Sequence, residues 1–249
     1  MLEHTQGIVL RSMDYGEGHR IISLLTDRLG KISVMVRGAK KAKSRLAGVS
    51  QPFTYGDYVI YLGGSGMGTL NQGDTIESHQ PLREDLHKAA YSSYIVEMVD
   101  RLAPEREPNH MLFEQLKAAL LAIAENKDAD IIISIIEMKM LALAGYLPQL
   151  DECISCESDE GVMHLSINQG GILCPRCRSK DPTALPLSPK ALRLLRLFQR
   201  VDLRRLGSTE VSLETKAEIK QSMRSFMDIH MGTKWKSRDF LDQMEKYNI

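Results

Sequence analysis

The chain has 249 residues, and its 32 lysines and arginines balance its 32 aspartates and glutamates to a formal net charge of zero. This length can bury a substantial core in one large domain or two smaller ones, and zero net charge argues against a simple nucleic-acid coat protein. The most apolar window, residues 131–146, contains Glu137 and Lys139 and is too short to cross a bilayer, and the polar first residues do not form a leader. We therefore expect a soluble, cytoplasmic protein.

The charges are unevenly distributed along the chain. Residues 1–80 carry a net charge of +2, residues 83–160 a net charge of −9, and residues 176–249 a net charge of +7. Two basic segments therefore flank an acidic middle. This asymmetry predicts one surface that binds a polyanion and a second surface with a different role.

The first 80 residues have the pattern of a small β domain. Strand-like runs separated by turn residues are predicted at 7–13, 20–26, 32–37, 53–62 and 69–77. Five short strands with one longer loop favour an OB-type β-barrel, and a sandwich or an SH3-like barrel is also compatible with the pattern. The glycine-rich segment 63–68 lacks the Gly-Lys-Ser/Thr of a phosphate-binding loop, so we interpret it as a hairpin tip.

The loop between the third and fourth predicted strands is strongly basic. Residues 28–56 contain seven basic residues and no acidic one, and a cationic loop at the mouth of a barrel can follow a phosphate backbone. We therefore predict that residues 1–80 bind nucleic acid; a solvated loop is the alternative. The candidate contact residues are Arg20, Lys31, Arg37, Lys40, Lys41, Lys43 and Arg45. Aromatic side chains that either stack on bases or belong to the core are Tyr15, Phe53, Tyr55, Tyr58 and Tyr61.

From residue 81 onward the periodicity of apolar residues becomes helical. Helices are predicted at 82–102, 109–125, 130–144, 190–200, 212–231 and 237–247, with caps at Asn109 and Ser188 and a helix start at Ser212. The third helix is apolar nearly all round and is therefore expected to be central and buried. We interpret residues 81–249 as one α-helical domain, into which residues 150–182 are inserted as a separate module.

A second basic patch is predicted on the helix at 190–200. Leu194, Leu197 and Phe198 are placed inward there, and the basic side chains outward. This patch is expected to bind DNA or an acidic tail of a partner protein. Its members are Arg193, Arg196, Arg200, Arg204 and Arg205.

The chain has four cysteines, arranged as two CxxC pairs. Cys153, Cys156, Cys174 and Cys177 leave 17 residues between the pairs, a spacing typical of a tetrahedral zinc site. Residues 162–167 are predicted to form a strand and residues 168–171 a turn, which together give a zinc ribbon or knuckle. Four thiolates close the coordination shell, so one structural Zn²⁺ is expected; four ordinary thiols or two disulfides are the alternative.

No group of residues has the spacing of a catalytic site. The acidic clusters at 105–107 and 157–160 could bind Mg²⁺ in a nuclease, although acidic linkers are the commoner explanation. Nucleotide-binding, esterase and zinc-protease motifs are missing from the sequence. We therefore expect a binding protein rather than an enzyme.

Several segments, in a fixed order over essentially the full length, are typical of one family. They are residues 7–11 (GIVLR), 15–26 (YGEGHRIISLLT), 30–31 (GK), 37–44 (RGAKKAKS), 51–53 (QPF), 143–148 (LAGYLP) before the first CxxC, and 235–241 (WKSRDFL). With these segments the chain resembles the bacterial RecO family of DNA repair and recombination mediators. One departure from a tight knuckle is Glu157, which follows the first CxxC where a glycine is more typical.

The resemblance implies an architecture and a function. It implies an α+β, multidomain chain with an N-terminal five-stranded OB-type β-barrel and an α-helical domain that carries the four-cysteine zinc module. It also implies binding of single- and double-stranded DNA and annealing of complementary strands. The implied partners are RecR and the acidic C-terminal tail of single-stranded-DNA-binding protein, in support of loading RecA. An RNA-binding OB and zinc-ribbon protein of translation or transcription is the alternative, because the phosphate contribution does not distinguish RNA from DNA.

Overall fold

A computed structural model describes residues 1–63, 66–207 and 210–247 of the chain. Its strands are β1 (Leu2–Tyr15), β2 (His19–Thr26), β3 (Gly30–Val36), β4 (Tyr55–Leu62), β5 (Gly68–Glu77), β6 (His164–Ser166), β7 (Gly171–Leu173) and β8 (Leu185–Pro186). Its helices are α1 (Leu46–Val49), α2 (Pro81–Glu84), α3 (Leu86–Leu102), α4 (His110–Ala124), α5 (Ala129–Leu143), α6 (Pro189–Arg200), α7 (Leu213–Met231) and α8 (Lys236–Tyr247), with 3₁₀ turns at Arg178–Lys180 and Leu203–Arg205.

Strands β1 to β5 form a closed barrel in the order β1-β2-β3-β5-β4. All neighbouring strands are antiparallel except β3 and β5, which pair in parallel from Val34 opposite Gly68. The long β1 pairs with β4 through its first half and with β2 through its second half, with a shift in register between Val9 and Arg11. The five-stranded OB-type barrel predicted from the sequence is thereby confirmed.

The interior of the barrel follows from strand alternation. Successive side chains of a strand point to opposite faces, so every second apolar residue reaches the core while its neighbours face outward. In the predicted tip between β4 and β5, residues 64 and 65 lie outside the described part of the chain. The buried core side chains are Val9, Ile22, Leu24, Ile32, Val34, Val36, Tyr58, Ile60 and Leu70.

The chain divides into two compact units, the first comprising Met1–Lys127 with Trp235–Ile249 and the second Asp128–Lys234. In the first unit, α3 packs against β1, α4 and α8. Trp235 is fully buried, with its ring edge-on to Tyr94 at 6.2 Å and the Arg101 guanidinium 5.8 Å from its centre. Packing thus groups α2–α4 and α8 with the barrel, whereas the predicted boundary follows the change from strand to helix after residue 80.

The predicted helix 82–102 is interrupted at Asp85. This residue has an extended backbone, and its carboxylate accepts a hydrogen bond from the Lys88 N–H at 2.9 Å. An aspartate in that position caps a new helix in preference to continuing the old one. The single predicted helix is therefore the short α2 followed by α3.

The second unit is built around α5, which is buried along most of its length, as its composition predicts. The caps predicted at Ser188 and Ser212 are present, and each hydroxyl accepts an N–H of the first helical turn. The placement of Leu197 was wrong. It is 52% exposed, because the buried face of α6 is formed by Ala191, Leu192, Leu195 and Phe198. Of the other two residues predicted to face inward, Phe198 is buried and Leu194 is half-buried. In the described part of the chain, no helix combines the length and apolar composition needed to cross a bilayer.

Candidate functional site

Residues 37–45, here called the basic loop, run from the end of β3 to α1 and lie against the turn between β1 and β2. The Gly38 N–H donates to His19 Nδ1 at 3.0 Å, and the Lys40 N–H donates to the Gly18 carbonyl at 3.3 Å. Gly38 has φ of +70°, a conformation that favours glycine at this bend. These contacts fix the start of the loop beside the barrel, and its five basic side chains are exposed.

One acidic residue faces the basic loop. The Asp14 carboxylate lies 2.7 Å from Lys40 Nζ and 3.4 Å from Arg20 Nε. The hydrogen bond from the Lys40 side chain holds the pKa of Asp14 below its usual value. Arg20 is half-buried and also approaches the Ser50 hydroxyl at 3.4 Å, so it connects Asp14 with the end of α1, the helix that follows the loop.

The other four cations of the basic loop have no such partner. Within the described residues, no ion pair or side-chain hydrogen bond engages the charged ends of Arg37, Lys41, Lys43 and Arg45. Exposed cations without an internal counterion are available to an external polyanion. The structure therefore brings five of the seven predicted contact residues together on one loop and places Arg20 behind them.

Lys31, the remaining predicted contact residue, lies elsewhere in the first unit. It is only 7% exposed, its ammonium forms an ion pair with Glu105 at 3.1 Å, and it donates to the Asp100 carbonyl. The Arg106 N–H donates to the Lys31 carbonyl at 3.0 Å. Lys31 thus fixes the segment after α3 onto β3, and we leave it out of the interface.

The aromatic residues divide between core and surface. Phe53, Tyr55 and Tyr58 are buried, whereas Tyr15 and Tyr61 are each 54% exposed. The Tyr58 hydroxyl donates to the Val49 carbonyl at 3.0 Å and so ties α1, which closes the basic loop, to the barrel. Of the five predicted aromatic residues, Tyr15 and Tyr61 therefore have the exposure that stacking on a base requires.

The four cysteines come together in the second unit, beside the hairpin of β6 and β7. The turn predicted at 168–171 joins these strands, and β8, which the sequence did not predict, adds a third strand to them. The four thiol sulfurs lie within 4.8 Å of one another, Cys156 and Cys174 are 3.6 Å apart, and none forms a disulfide. A tetrahedral Zn²⁺ with bonds of about 2.3 Å separates its sulfurs by about 3.8 Å, so the cluster fits a four-thiolate metal site.

Backbone N–H groups favour the thiolate form of Cys153. Burial opposes ionisation of Cys153, but N–H groups of Cys174, Ser155 and Cys156 lower the pKa of its thiol to about 6. Thiolates are the metal-binding form of cysteine. Glu157 adopts φ of +60°, and its N–H donates to the Cys153 carbonyl at 2.8 Å. The knuckle thus keeps the left-handed turn at the position where a glycine is more typical.

The second basic patch is partly committed to contacts within the second unit. Arg196 donates to the carbonyls of Leu150 and Asp151 at 2.7 and 2.9 Å, just before the first CxxC pair. Arg200 lies 3.2 Å from the Asp151 carboxylate. Arg204 forms an ion pair of its own with Asp202 at 2.6 Å. Arg193 and Arg205 are exposed and engage no acidic partner in the described chain.

A cavity lies beside this patch, also within the second unit. It has a volume of about 440 Å³. Its lining includes the basic residues Lys190 and Arg193 and also Leu197, the residue that the sequence pattern had placed in the core. The remaining lining residues are Leu194, Glu210, Val211, Ser212 and Thr215. The sequence indicated this cavity only through the large number of apolar residues on α6, and the prediction assigned those residues to the core.

Two family descriptions match the chain. Residues 1–79 match "Recombination protein O N terminal", and residues 83–239 match "Recombination protein O C terminal". The chain belongs to the RecO family. The resemblance noted from the sequence segments is thereby confirmed, and membership makes the chain a DNA repair and recombination protein.

Curated relatives agree over the full length. The chain is 49% identical to "DNA repair protein RecO" of Bacillus pumilus (strain SAFR-032) over 245 residues, which cover 98% of this chain and 95% of the relative. It is 47% identical to the protein of the same name from Bacillus subtilis (strain 168), and the match covers 98% of this chain and 96% of that relative. The protein of the same name from Bacillus cytotoxicus is 41% identical, and the match covers 100% of both chains.

Proposed function

We propose that this RecO-family chain is a DNA-binding recombination mediator. In this proposal it binds single- and double-stranded DNA, anneals complementary strands, and helps to load RecA, together with RecR, on DNA coated by single-stranded-DNA-binding protein. The observation that carries the proposal is the basic loop: five exposed cations lie beside an OB-type barrel, and four of them have no internal counterion among the described residues. The chain acts in the cytoplasm, at the nucleoid.

Annealing requires no bond chemistry, so the chain acts as a binding protein and not as an enzyme. Two complementary strands repel each other through their phosphates, and cations that bind both strands lower that repulsion. In our proposal the basic loop binds one strand. Arg193 and Arg205, which are exposed in the second unit, offer a further cationic surface to the other strand or to an acidic partner.

We assign the metal as one structural Zn²⁺ bound by the four cysteines. Four thiolates complete its coordination, so the ion supplies folding energy and no reactive position. The thiolates and the ion together carry a formal charge of −2, which the exposed Arg176 and Arg178 beside Cys177 offset. The module then fixes the segment that Arg196 and Arg200 contact, and with it the second half of α6.

The cavity beside Arg193 supports the assignment of a partner tail to this part of the chain. The lining combines the apolar side chains of Leu194 and Leu197 with the basic side chains of Lys190 and Arg193, and this combination suits an apolar side chain that is followed by acidic groups. We propose that the acidic C-terminal tail of single-stranded-DNA-binding protein binds there. A cavity with apolar walls selects such a tail over a plain phosphate backbone.

We expect Arg193→Ala to weaken binding of a fluorescent copy of this tail by about tenfold, since a charge-assisted contact contributes roughly 1.5 kcal/mol. Fluorescence anisotropy measures this affinity. Arg28→Ala, which removes an exposed arginine from the turn between β2 and β3, is the matched control and leaves it unchanged. Equal affinities for wild type and Arg193→Ala contradict the assignment.

Annealing of coated DNA tests the proposed function as a whole. Two complementary strands, one carrying a donor and one an acceptor fluorophore, are each covered with single-stranded-DNA-binding protein. We expect the chain to accelerate pairing severalfold or more, and unlabelled RNA of unrelated sequence to compete less well than unlabelled DNA. No acceleration contradicts the proposal, and preferential inhibition by RNA favours the RNA-binding alternative.

A further inference from the structure

An acidic residue of β1 lies against the basic loop, and the proposed function does not explain its role. Asp14 lies near the end of β1, and its carboxylate contacts two of the cations predicted to bind DNA, Lys40 at 2.7 Å and Arg20 at 3.4 Å. The carboxylate side chain is 58% exposed, so it stands where an external phosphate can also reach. A carboxylate and a phosphate oxygen make the same charge-assisted contact with an ammonium or guanidinium group.

The contact is built into the backbone and is more than a chance pairing of long side chains. Two hydrogen bonds, from Gly38 to His19 and from Lys40 to Gly18, fasten the loop to the β1–β2 turn. Asp14 precedes this turn and pairs in register with Arg20 across the two strands. Asp14, Arg20 and Lys40 therefore meet because the strand register and the loop anchor bring them together.

We propose that Asp14 is a built-in competitor for DNA phosphate. In the absence of DNA it neutralises Lys40 and Arg20; when a strand binds, a phosphate replaces the carboxylate on one or both of them. Because those cations must first break their contacts with Asp14, the loop binds DNA more weakly than its number of positive charges would predict. This inference rests on the proposed function, since it takes the loop as the DNA site.

Such a competitor suits annealing because the strand has to be released after it pairs. As a phosphate leaves, Asp14 recaptures Lys40 and Arg20, and the uncompensated positive charge that would retain the duplex is reduced. The four other cations of the loop bind the incoming strand. Lys40 and Arg20, which return to Asp14, help the paired strand to dissociate. Asp14 is a residue that tunes binding and need not touch the DNA.

The test is the affinity for a fluorescent single-stranded oligonucleotide, measured by anisotropy at low and at high salt. We expect Asp14→Asn to bind about two- to fivefold more tightly than wild type at low salt, the range set by the strength of exposed ion pairs. The gain shrinks at high salt, where exposed charges are screened. In a Lys40→Ala background the same substitution gains less, because only the contact with Arg20 remains.

Asp57→Asn is the matched control, since Asp57 is an exposed carboxylate on β4 with no ion-pair partner among the described residues. It changes the net charge equally, and we expect less than half of the Asp14→Asn gain. Weaker binding by Asp14→Asn identifies Asp14 as a residue that positions the loop and overturns the proposal, as does a gain no larger than that of Asp57→Asn. If neutralising the loop itself leaves binding unchanged, the proposed function fails as well; if that lowers binding while Asp14→Asn does nothing, only this inference fails.

Discussion

A variant with Arg37, Lys40, Lys41 and Lys43 replaced by alanine is expected to lose most of its affinity for single-stranded DNA. Each phosphate contact contributes roughly 0.7 to the slope of log affinity against log salt for single strands, so the slope falls in magnitude by about 2 to 3. At 0.1 M salt this amounts to a loss on the order of 100-fold. The four side chains are exposed, so the fold and its thermal unfolding are expected to stay unchanged.

The matched comparison uses single substitutions. Lys41→Ala and Arg28→Ala each remove one exposed cation, the first from the basic loop and the second from the turn at the opposite end of the β2–β3 hairpin. We expect the slope to fall by about 0.7 for Lys41→Ala and to stay constant for Arg28→Ala. An unchanged slope in the fourfold variant removes the loop from the binding site. If the two single variants lower the slope equally, the slope reflects the charge of the whole protein and not a local contact of the loop with DNA.

Removal of the metal is expected to destabilise the second unit strongly. Structural Zn²⁺ sites in small domains bind with roughly 10–16 kcal/mol, about as much as the whole stability of a typical domain. Cys153→Ser and treatment with a strong chelator are therefore expected to lower the thermal transition of this unit by about 10 °C or more. Elemental analysis is expected to find about one Zn²⁺ per chain in the wild-type protein and a marked loss in Cys153→Ser.

Two probes separate the response of the two units. Trp235 is the only tryptophan of the chain and belongs to the first unit, so its emission follows that unit. Far-ultraviolet circular dichroism follows the helices of both. We expect chelation to shift the dichroism transition ahead of the tryptophan transition. Ser179→Ala, an exposed substitution within the same module, is the control that leaves both transitions in place. Protein that purifies without zinc and unfolds identically with and without chelator contradicts the assignment.

The sequence predicted most of the fold because its signals are local. Alternating apolar residues and turn residues indicated all five barrel strands, the caps at Asn109, Ser188 and Ser212 indicated where three helices begin, and the CxxC spacing indicated the cysteine cluster. Each of these signals depends on neighbours within a few residues or, for the cysteines, on chemistry that leaves few alternatives. The errors in this part, such as the break at Asp85, concern the ends of elements.

Charge and burial across the fold could not be predicted in the same way. Counting basic residues placed Lys31 with the loop, but the segment that follows α3 covers it with Glu105. A helical wheel placed Leu197 inward, whereas the packing of α6 selected the neighbouring face. The contact between Asp14 and Lys40 has no sequence signal, because it depends on a loop that folds back onto the end of a strand. These features arise from contacts between distant segments, which periodicity does not encode.

In the proposed function, the basic loop on the OB-type barrel binds the DNA strand that the chain anneals. This role can be measured as the annealing rate of complementary strands coated with single-stranded-DNA-binding protein, compared between wild type and the fourfold loop variant at equal zinc content. We expect clear acceleration by wild type and little or none by the variant. If the variant anneals coated strands as fast as wild type, the loop does not have this role.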